Sequence, residues 1–464
     1  MFKIRTYPHF DAALTEEDAE ALVSDPTRIG KHAFHPFIEY PERWTKFSAK
    51  GLKGKVKARP IMYASRRDGC IYAHYRSMLS AAYESELMGR SLSTAVIAYR
   101  RIPRSGSRGN KCNIHFAAEA FSEISVLGDC LVYALDISKF FENINHRKLK
   151  QLWMQIMGFQ TMPLDHYRVF RSITRYASVR REMLYRALGF IGPKSVGTRR
   201  VIGYLVNRVP LQVCSGKDFR EKIERLISWN PNSHGIPQGS PISDVLANLY
   251  MLEFDTVIAQ EMSKIGGTYR RYSDDILLIV PGHTDDYHAR LAGVEALFTG
   301  CGSSLQIQPS KSTVHKFSSL QHCTLQGCQR IHGNSGKNGL EYLGFRFDGS
   351  RVYIRDSTRS RLQRKMTFAV NTAVRSLHLA NPGMGRAALK NQFNPDLVVH
   401  KFYKVRDFET VASIPKKWTF WTYTTRAQEV FGSMGKPIAR QLRNFRRSVS
   451  HKAASLIDKC VNLP

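Results

Sequence analysis

The sequence predicts a mixed α/β (α+β) fold: an antiparallel sheet with helices, followed by a basic, mainly helical C-terminal segment. Three observations carry this. The apolar run Cys130-Leu131-Val132-Tyr133-Ala134-Leu135, bounded by Gly128 and closed by Asp136, reads as a buried strand with a carboxylate at its end. Two short runs, Thr268 to Tyr272 and Ile276 to Val280, bracket Ser273-Asp274-Asp275 and read as a hairpin with two adjacent acids at its tip. Beyond residue 351, Arg359, Arg361, Arg364 and Lys365, then Arg440, Arg443, Arg446 and Arg447, recur at helix-compatible offsets around Leu362, Met366, Leu442 and Phe445.

The remaining elements follow in order. The stretch 104–110, rich in Gly, Ser and Arg, is expected to be a surface loop, and 333–339 a hairpin connection. From Pro241 through Phe254 the apolar positions Val245, Leu246, Leu249, Met251, Leu252 and Phe254 predict a helix that opens after a Gly- and Pro-containing turn. Eight scattered cysteines have no framework spacing and suggest reduced thiols. Cys323 and Cys328, flanked by His322 and His332, have poor zinc-ligand spacing, and loop thiols are the preferred reading.

At about 100–200 residues per domain, 464 residues allow two to four structural units. A hydrophobic content of 43% with 11% aromatics excludes intrinsic disorder for most of the chain. The net charge of +31 is too large for solubility alone and points to a polyanionic partner. Residues 351–464 hold 22 Lys and Arg against 6 Asp and Glu, about half of that excess, which favours phosphate binding over a merely solvated face. No run approaches the ~20 apolar residues that cross a bilayer, and no apolar core follows the basic N-terminal residues, so the expectation is a cytoplasmic protein with no membrane partner.

Three carboxylates, Asp136 on one strand end and Asp274 and Asp275 on a separate hairpin, suit phosphoryl transfer. Two Mg2+ ions need hard oxygen ligands on rigid strands, and a carboxylate cluster without metal would repel itself. Alone, Asp274-Asp275 reads first as an ordinary acidic turn.

The order of three motifs decides between these readings. Asp136-Ile137-Ser138-Lys139-Phe140-Phe141, then Gly235-Ile236-Pro237-Gln238-Gly239-Ser240-Pro241-Ile242-Ser243, then Tyr272-Ser273-Asp274-Asp275 resemble successive signatures of reverse transcriptases. Lys57 to Ile61, Leu305 to Lys311 and Leu340 to Phe345 extend the resemblance over about residues 55–348. It implies a right-hand polymerase: residues 1–125 as N-terminal segment and fingers, 126–348 as palm with an insert at about 158–230, and 349–464 as a basic thumb that binds RNA.

The resemblance also implies roles. Asp136, Asp274 and Asp275 correspond to the Mg2+ ligands, with the Ile137 carbonyl beside them, and Tyr272 braces the primer end. Phe141 matches the steric gate that excludes a 2′-hydroxyl, with a core aromatic as the alternative. Gln238 and Gly239 resemble the loop under the nascent base pair, and Arg59 the arginine that holds the triphosphate, with Lys57, Arg66 and Arg67 as unranked neighbours. Lys311 matches a lysine that protonates pyrophosphate, with a surface lysine as the alternative, and Leu343 and Gly344 match the primer-gripping hairpin. Arg443, Arg446 and Arg447 are the candidate RNA contacts of the thumb. Resemblances at 59–61, 67–73, 96–100 and 113–117 are to the stand-alone, defence-associated bacterial enzymes. The expected function is an RNA-directed DNA polymerase that copies a structured non-coding RNA into cDNA from dNTPs in antiphage defence. A retron-type enzyme, a non-catalytic RNA-binding protein with a relic palm and a nucleotide cyclase are the alternatives.

Overall fold

Helices and mainly antiparallel sheets build the chain, seen in a computed structural model that describes residues 5–45, 56–106, 109–196, 199–319, 326–333, 338–402 and 419–460. Cys323, His322 and residues 334–337 lie outside the described residues. Two compact units are present, one of residues 1–100, 135–276 and 286–308, the other of 101–134, 277–285 and 309–464.

The first unit holds a four-stranded sheet ordered Val56–Tyr63, Phe37–Thr45, Ala177–Arg180, Ser228–Trp229. Phe37–Thr45 pairs antiparallel with Val56–Tyr63 and parallel with Ala177–Arg180. Ile38, Val179, Leu184, Val213 and Ile223 form its core. A second sheet, of five strands, has the order Gln326–His332, Thr313–Ser319, Cys130–Asp136, Asp275–Pro281, Thr268–Tyr272. The boundary between units crosses two of these strands, so the ends that carry Asp136 and Asp275 belong to the first unit.

In the second unit the helix Asn113–Leu127 buries Ile114, Ala117, Ala120, Phe121 and Ile124 at helical spacing and stops at Gly128, whose φ of +71° favours glycine. Phe121 stacks on Phe347 with ring centroids 4.9 Å apart. Helix Asp356–Ala380 presents Leu362, Met366, Val370 and Val374, and helix Phe445–Cys460 presents Phe445, Val449, Ala453 and Ile457, to one shared core. Spacing by four leaves the basic side chains on the outer faces.

Three expectations change: the stretch 333–339, expected to connect a hairpin, lies between Gln326–His332 and Leu340–Tyr342, which belong to different sheets, and two helices differ in detail. The helix expected over 241–254 begins at Ser243 and is interrupted: Ser243–Tyr250 and Leu252–Lys264 are separate helices. Pro241 and Ile242 form a turn ahead of the first helix. At Met251 the backbone turns to φ −92° and ψ −2°, and its N–H reaches back to Asn248 with a tighter bond. The expected basic helix near 440–447 is likewise two helices, Lys436–Leu442 and Phe445–Cys460. Among the described residues no helix is long and apolar enough to cross a membrane.

His315 is buried on the strand Thr313–Ser319, and burial, with the Arg330 charge beside it, pushes its pKa down to about 3. The unfolded chain takes up that proton near 6.5 while the folded protein does not, so stability falls as pH drops from 6.5 towards 3. Urea denaturation across that window should show a steeper pH dependence for wild type than for His315→Gln, and parallel curves would contradict the buried neutral imidazole.

Candidate active site

The strand Cys130–Asp136 is buried along its stem and half-exposed at Asp136. Just past it, the Ile137 N–H donates to the Asp274 carbonyl at 3.0 Å, so a backbone bond ties the two carboxylate-bearing segments together. On the other side, Gln308 N–H donates to the Asp136 carbonyl at 2.7 Å and Ser138 N–H to the Gln306 carbonyl at 2.8 Å. Asp136, Asp274 and Asp275 are all half-exposed.

The hairpin is held from beneath. Thr268–Tyr272 alternates, with Tyr269 and Arg271 inward and Tyr272 half-exposed at its end. Arg271, fully buried, grips Asp255 with two bonds, Nε to Oδ1 at 2.7 Å and Nη2 to Oδ2 at 2.6 Å. Tyr269 donates to the same carboxylate at 2.5 Å. Burial opposes the Arg271 charge, but the Asp255 carboxylate more than compensates and the guanidinium pKa ends above its ordinary value. The remaining nitrogen, Nη1, reaches the Ser273 carbonyl and Asn248 Oδ1, each at 3.1 Å. Ser273 needs that support: its φ of +60° lies in the left-handed region, which costs a non-glycine residue about 1–2 kcal/mol. Tyr99 adds a hydroxyl–hydroxyl bond to Ser273 at 2.9 Å.

Lys139, at φ +46°, turns the chain into the one-turn helix Phe140–Asn143. Phe140 enters the core, while Phe141 stays half-exposed with its ring edge against Phe140. The loop 235–239 is sewn to both neighbours: Ile236 N–H donates to the Phe141 carbonyl at 2.9 Å and Met62 N–H to the Gln238 carbonyl at 2.8 Å. Gly239, at φ +108°, has no room for a side chain, because a Cβ there would lie 2.6 Å from the Met62 carbonyl oxygen. Arg59 lies exposed on the strand that carries Met62.

Other candidates separate. Arg66 is buried, and its two terminal nitrogens are taken by Asp11 at 2.8 Å and the carbonyls of Asp11, Tyr7 and Leu211, which argues against a triphosphate ligand. Arg67 is exposed. In the second unit, Lys311 is exposed in the turn before Thr313–Ser319. Leu343 and Gly344 form the two-residue connection between Leu340–Tyr342 and Phe345–Phe347, with φ of +46° and +95°, a combination that tight hairpins use. Asn113 Nδ2 clamps the Leu343 carbonyl at 3.0 Å. Arg443, Arg446 and Arg447 are exposed, but Arg446 forks onto Asp396 at 2.9 and 2.8 Å and is already partnered. Sequence reasoning missed Arg271, Asp255 and Asn248. The available signal was an arginine at an inward position of a strand, which demands a buried acid.

Among the described residues no group of three or more His, Cys, Asp or Glu side chains is placed to hold a metal ion, and Asp136, Asp274 and Asp275 do not form one by themselves. Mg2+ does not require one, being held by one or two carboxylates with substrate phosphates and water completing the shell. The hard oxygens of Asp136, Asp274 and Asp275 fit that ion.

Residues 193–347, about a third of the chain, match the family described as reverse transcriptase (RNA-dependent DNA polymerase). The match includes the 235–239 loop and both hairpins; Asp136 and Phe141 lie upstream of it. That segment is similar to the reverse-transcriptase family. Among solved structures, the apo telomerase of Candida tropicalis truncated of its C-terminal domain aligns at 9% identity and TM-score 0.33 over 71% of this chain and 58% of its own. The telomerase of Candida albicans with a fragment of telomeric RNA aligns at 11% and TM-score 0.36 over 97% and 68%. The RNA-dependent RNA polymerase of a human picorbirnavirus, an insertion-loop deletion mutant, aligns at 12% and TM-score 0.33 over 65% and 45%. These likenesses are distant, and nothing about activity or partners follows from them.

Asp255→Asn should lower stability by about 3–5 kcal/mol, because it leaves the Arg271 charge buried without a counter-ion. Chemical denaturation measures this, and a loss under about 1 kcal/mol would mean that the pair is not what holds the hairpin.

Proposed function

We propose that the chain is an RNA-directed DNA polymerase, joining dNTPs to a primer end on an RNA template. The observation that supports this is the backbone bond from Ile137 to Asp274, which joins the segment following Asp136 to the one bearing Asp274 and Asp275, all three side chains being half-exposed. Mg2+ held there would stabilise both the attacking 3′-oxygen and the departing pyrophosphate. Asp136, Asp274 and Asp275 supply the oxygens for it, with the Ile137 carbonyl alongside. The half-exposed Phe141 ring closes the space where a 2′-hydroxyl would sit, Gln238 and Gly239 offer backbone to the nascent pair, and Arg59 takes the triphosphate. Tyr272, Leu343 and Gly344 position the primer, and Lys311 supplies a proton to the pyrophosphate.

The finer reading is a defence-associated bacterial enzyme, working in the cytoplasm, that copies a structured non-coding RNA made beside it. Its support is the four resembling segments from 59 to 117 and the basic residues 351–464, where exposed Arg443 and Arg447 remain candidates for phosphate contact. Sequencing the RNA and DNA that co-purify with the protein tests this. One abundant structured RNA with its complementary DNA supports it, and a random transcript population opposes it.

Asp274→Ala with Asp275→Ala should abolish dNTP incorporation on primed RNA in Mg2+ without unfolding the chain, since both side chains are half-exposed. Undiminished incorporation would sink the catalytic assignment. In the same assay Phe141→Ala should admit ribonucleotides, and an unchanged rNTP to dNTP ratio would move the gate elsewhere.

A further inference from the structure

The first unit contains a cleft that none of these roles uses. It is a cavity of about 1020 Å3 between the start of helix His146–Ile156, the helix Leu164–Thr174 and the segment 229–233. Trp229 lines it and is 68% exposed, on the short edge strand of the four-stranded sheet. A tryptophan that open is unusual in a folded chain, and Tyr167, also in the lining, is exposed as well. Arg147, Arg171 and Arg175 share the lining and are exposed. Among the described residues no acidic side chain lines the cleft, and Arg147 and Arg171 make no ion pair.

The segment after Trp229 is tied to both helices by hydrogen bonds. Asn230 Nδ2 donates to the carbonyls of Thr174 at 2.9 Å and His234 at 3.1 Å, and Arg175 Nη1 donates to the Pro231 carbonyl at 3.2 Å. His146 N–H donates to the Ser233 carbonyl at 3.0 Å and its ring bonds the Gly235 carbonyl at 2.8 Å. The same stretch of chain runs on directly into Gln238 and Gly239. An exposed aromatic face among guanidinium groups without acidic partners matches an unpaired strand, in which bases offer π-faces and phosphates offer charge. A duplex offers no free face to Trp229, and an acidic peptide would leave the ring unused.

We infer that this cleft binds an unpaired nucleic-acid strand, with a base stacked on Trp229 and phosphates on Arg147, Arg171 and Arg175, and that it leads the strand towards the Gln238 loop. The inference rests on the polymerase reading for the source of the strand, not for its chemistry. The test uses the full chain in EDTA without dNTPs, with fluorescein-labelled oligo(U), oligo(dT) and a duplex of equal length as probes. Trp229→Ala should weaken both single-stranded probes about tenfold and Trp229→Phe should restore most of that. Arg147→Glu with Arg171→Glu should lower the slope of log affinity against log salt by about 0.7 for each phosphate no longer neutralised. Unmoved single-strand affinity in either variant overturns the inference, as does an equal loss for the duplex probe. Because no DNA synthesis is read, failure of the polymerase reading shows separately, as absent dNTP incorporation by wild type.

Discussion

Beneath the hairpin that presents Asp274 and Asp275 lies a guanidinium with no exposure to water, Arg271, forked onto the equally buried Asp255. Taking two charges out of water is expensive, and the interior repays it only with near-ideal geometry and with every remaining donor satisfied. Both conditions are met: the two Arg271–Asp255 bonds are short, Tyr269 completes the carboxylate, and Nη1 is spent on Asn248 and on the Ser273 carbonyl. That last bond links the buried pair to the site. It steadies Ser273 in a left-handed conformation and so fixes the direction in which the next two carboxylates leave the sheet.

From that fixed point the site is assembled by backbone bonds more than by side chains. Ile137 to Asp274, Gln308 to Asp136, Ile236 to Phe141 and Met62 to Gln238 tie segments far apart in sequence. The side chains of Asp136, Asp274, Phe141 and Gln238 that they carry are half-exposed. Backbone ties suit this task because they tolerate substitution at the positions they join, except where closeness excludes a side chain, as at Gly239.

The large positive charge divides by environment. Arg66 and Arg271 are structural, each neutralised by a buried aspartate, and Arg446 is held by Asp396. Charge counting from composition cannot make that division, because it depends on which acids fold against which bases. What was legible in the sequence is local. The strand ending at Asp136 and the hairpin around Ser273 follow from apolar runs and turn residues a few positions apart, and both form with nearly the expected bounds. The partnership of Arg271 with Asp255 spans a helix and a strand, the Met251 interruption arises inside an unbroken apolar pattern, and the Trp229 cleft draws on three separate segments. Each depends on tertiary placement that no local period encodes.

The central claim is that Asp136, Asp274 and Asp275 together hold divalent metal when substrates are bound. Its most direct measurement is electron paramagnetic resonance of Mn2+ titrated into the protein with a chain-terminated primer on RNA and the next matching dNTP. Wild type should bind Mn2+ beyond what nucleotide and RNA take up alone, and Asp136→Asn and Asp274→Asn should each lose that increment while retaining RNA. Equal Mn2+ uptake by wild type and both variants would contradict the account.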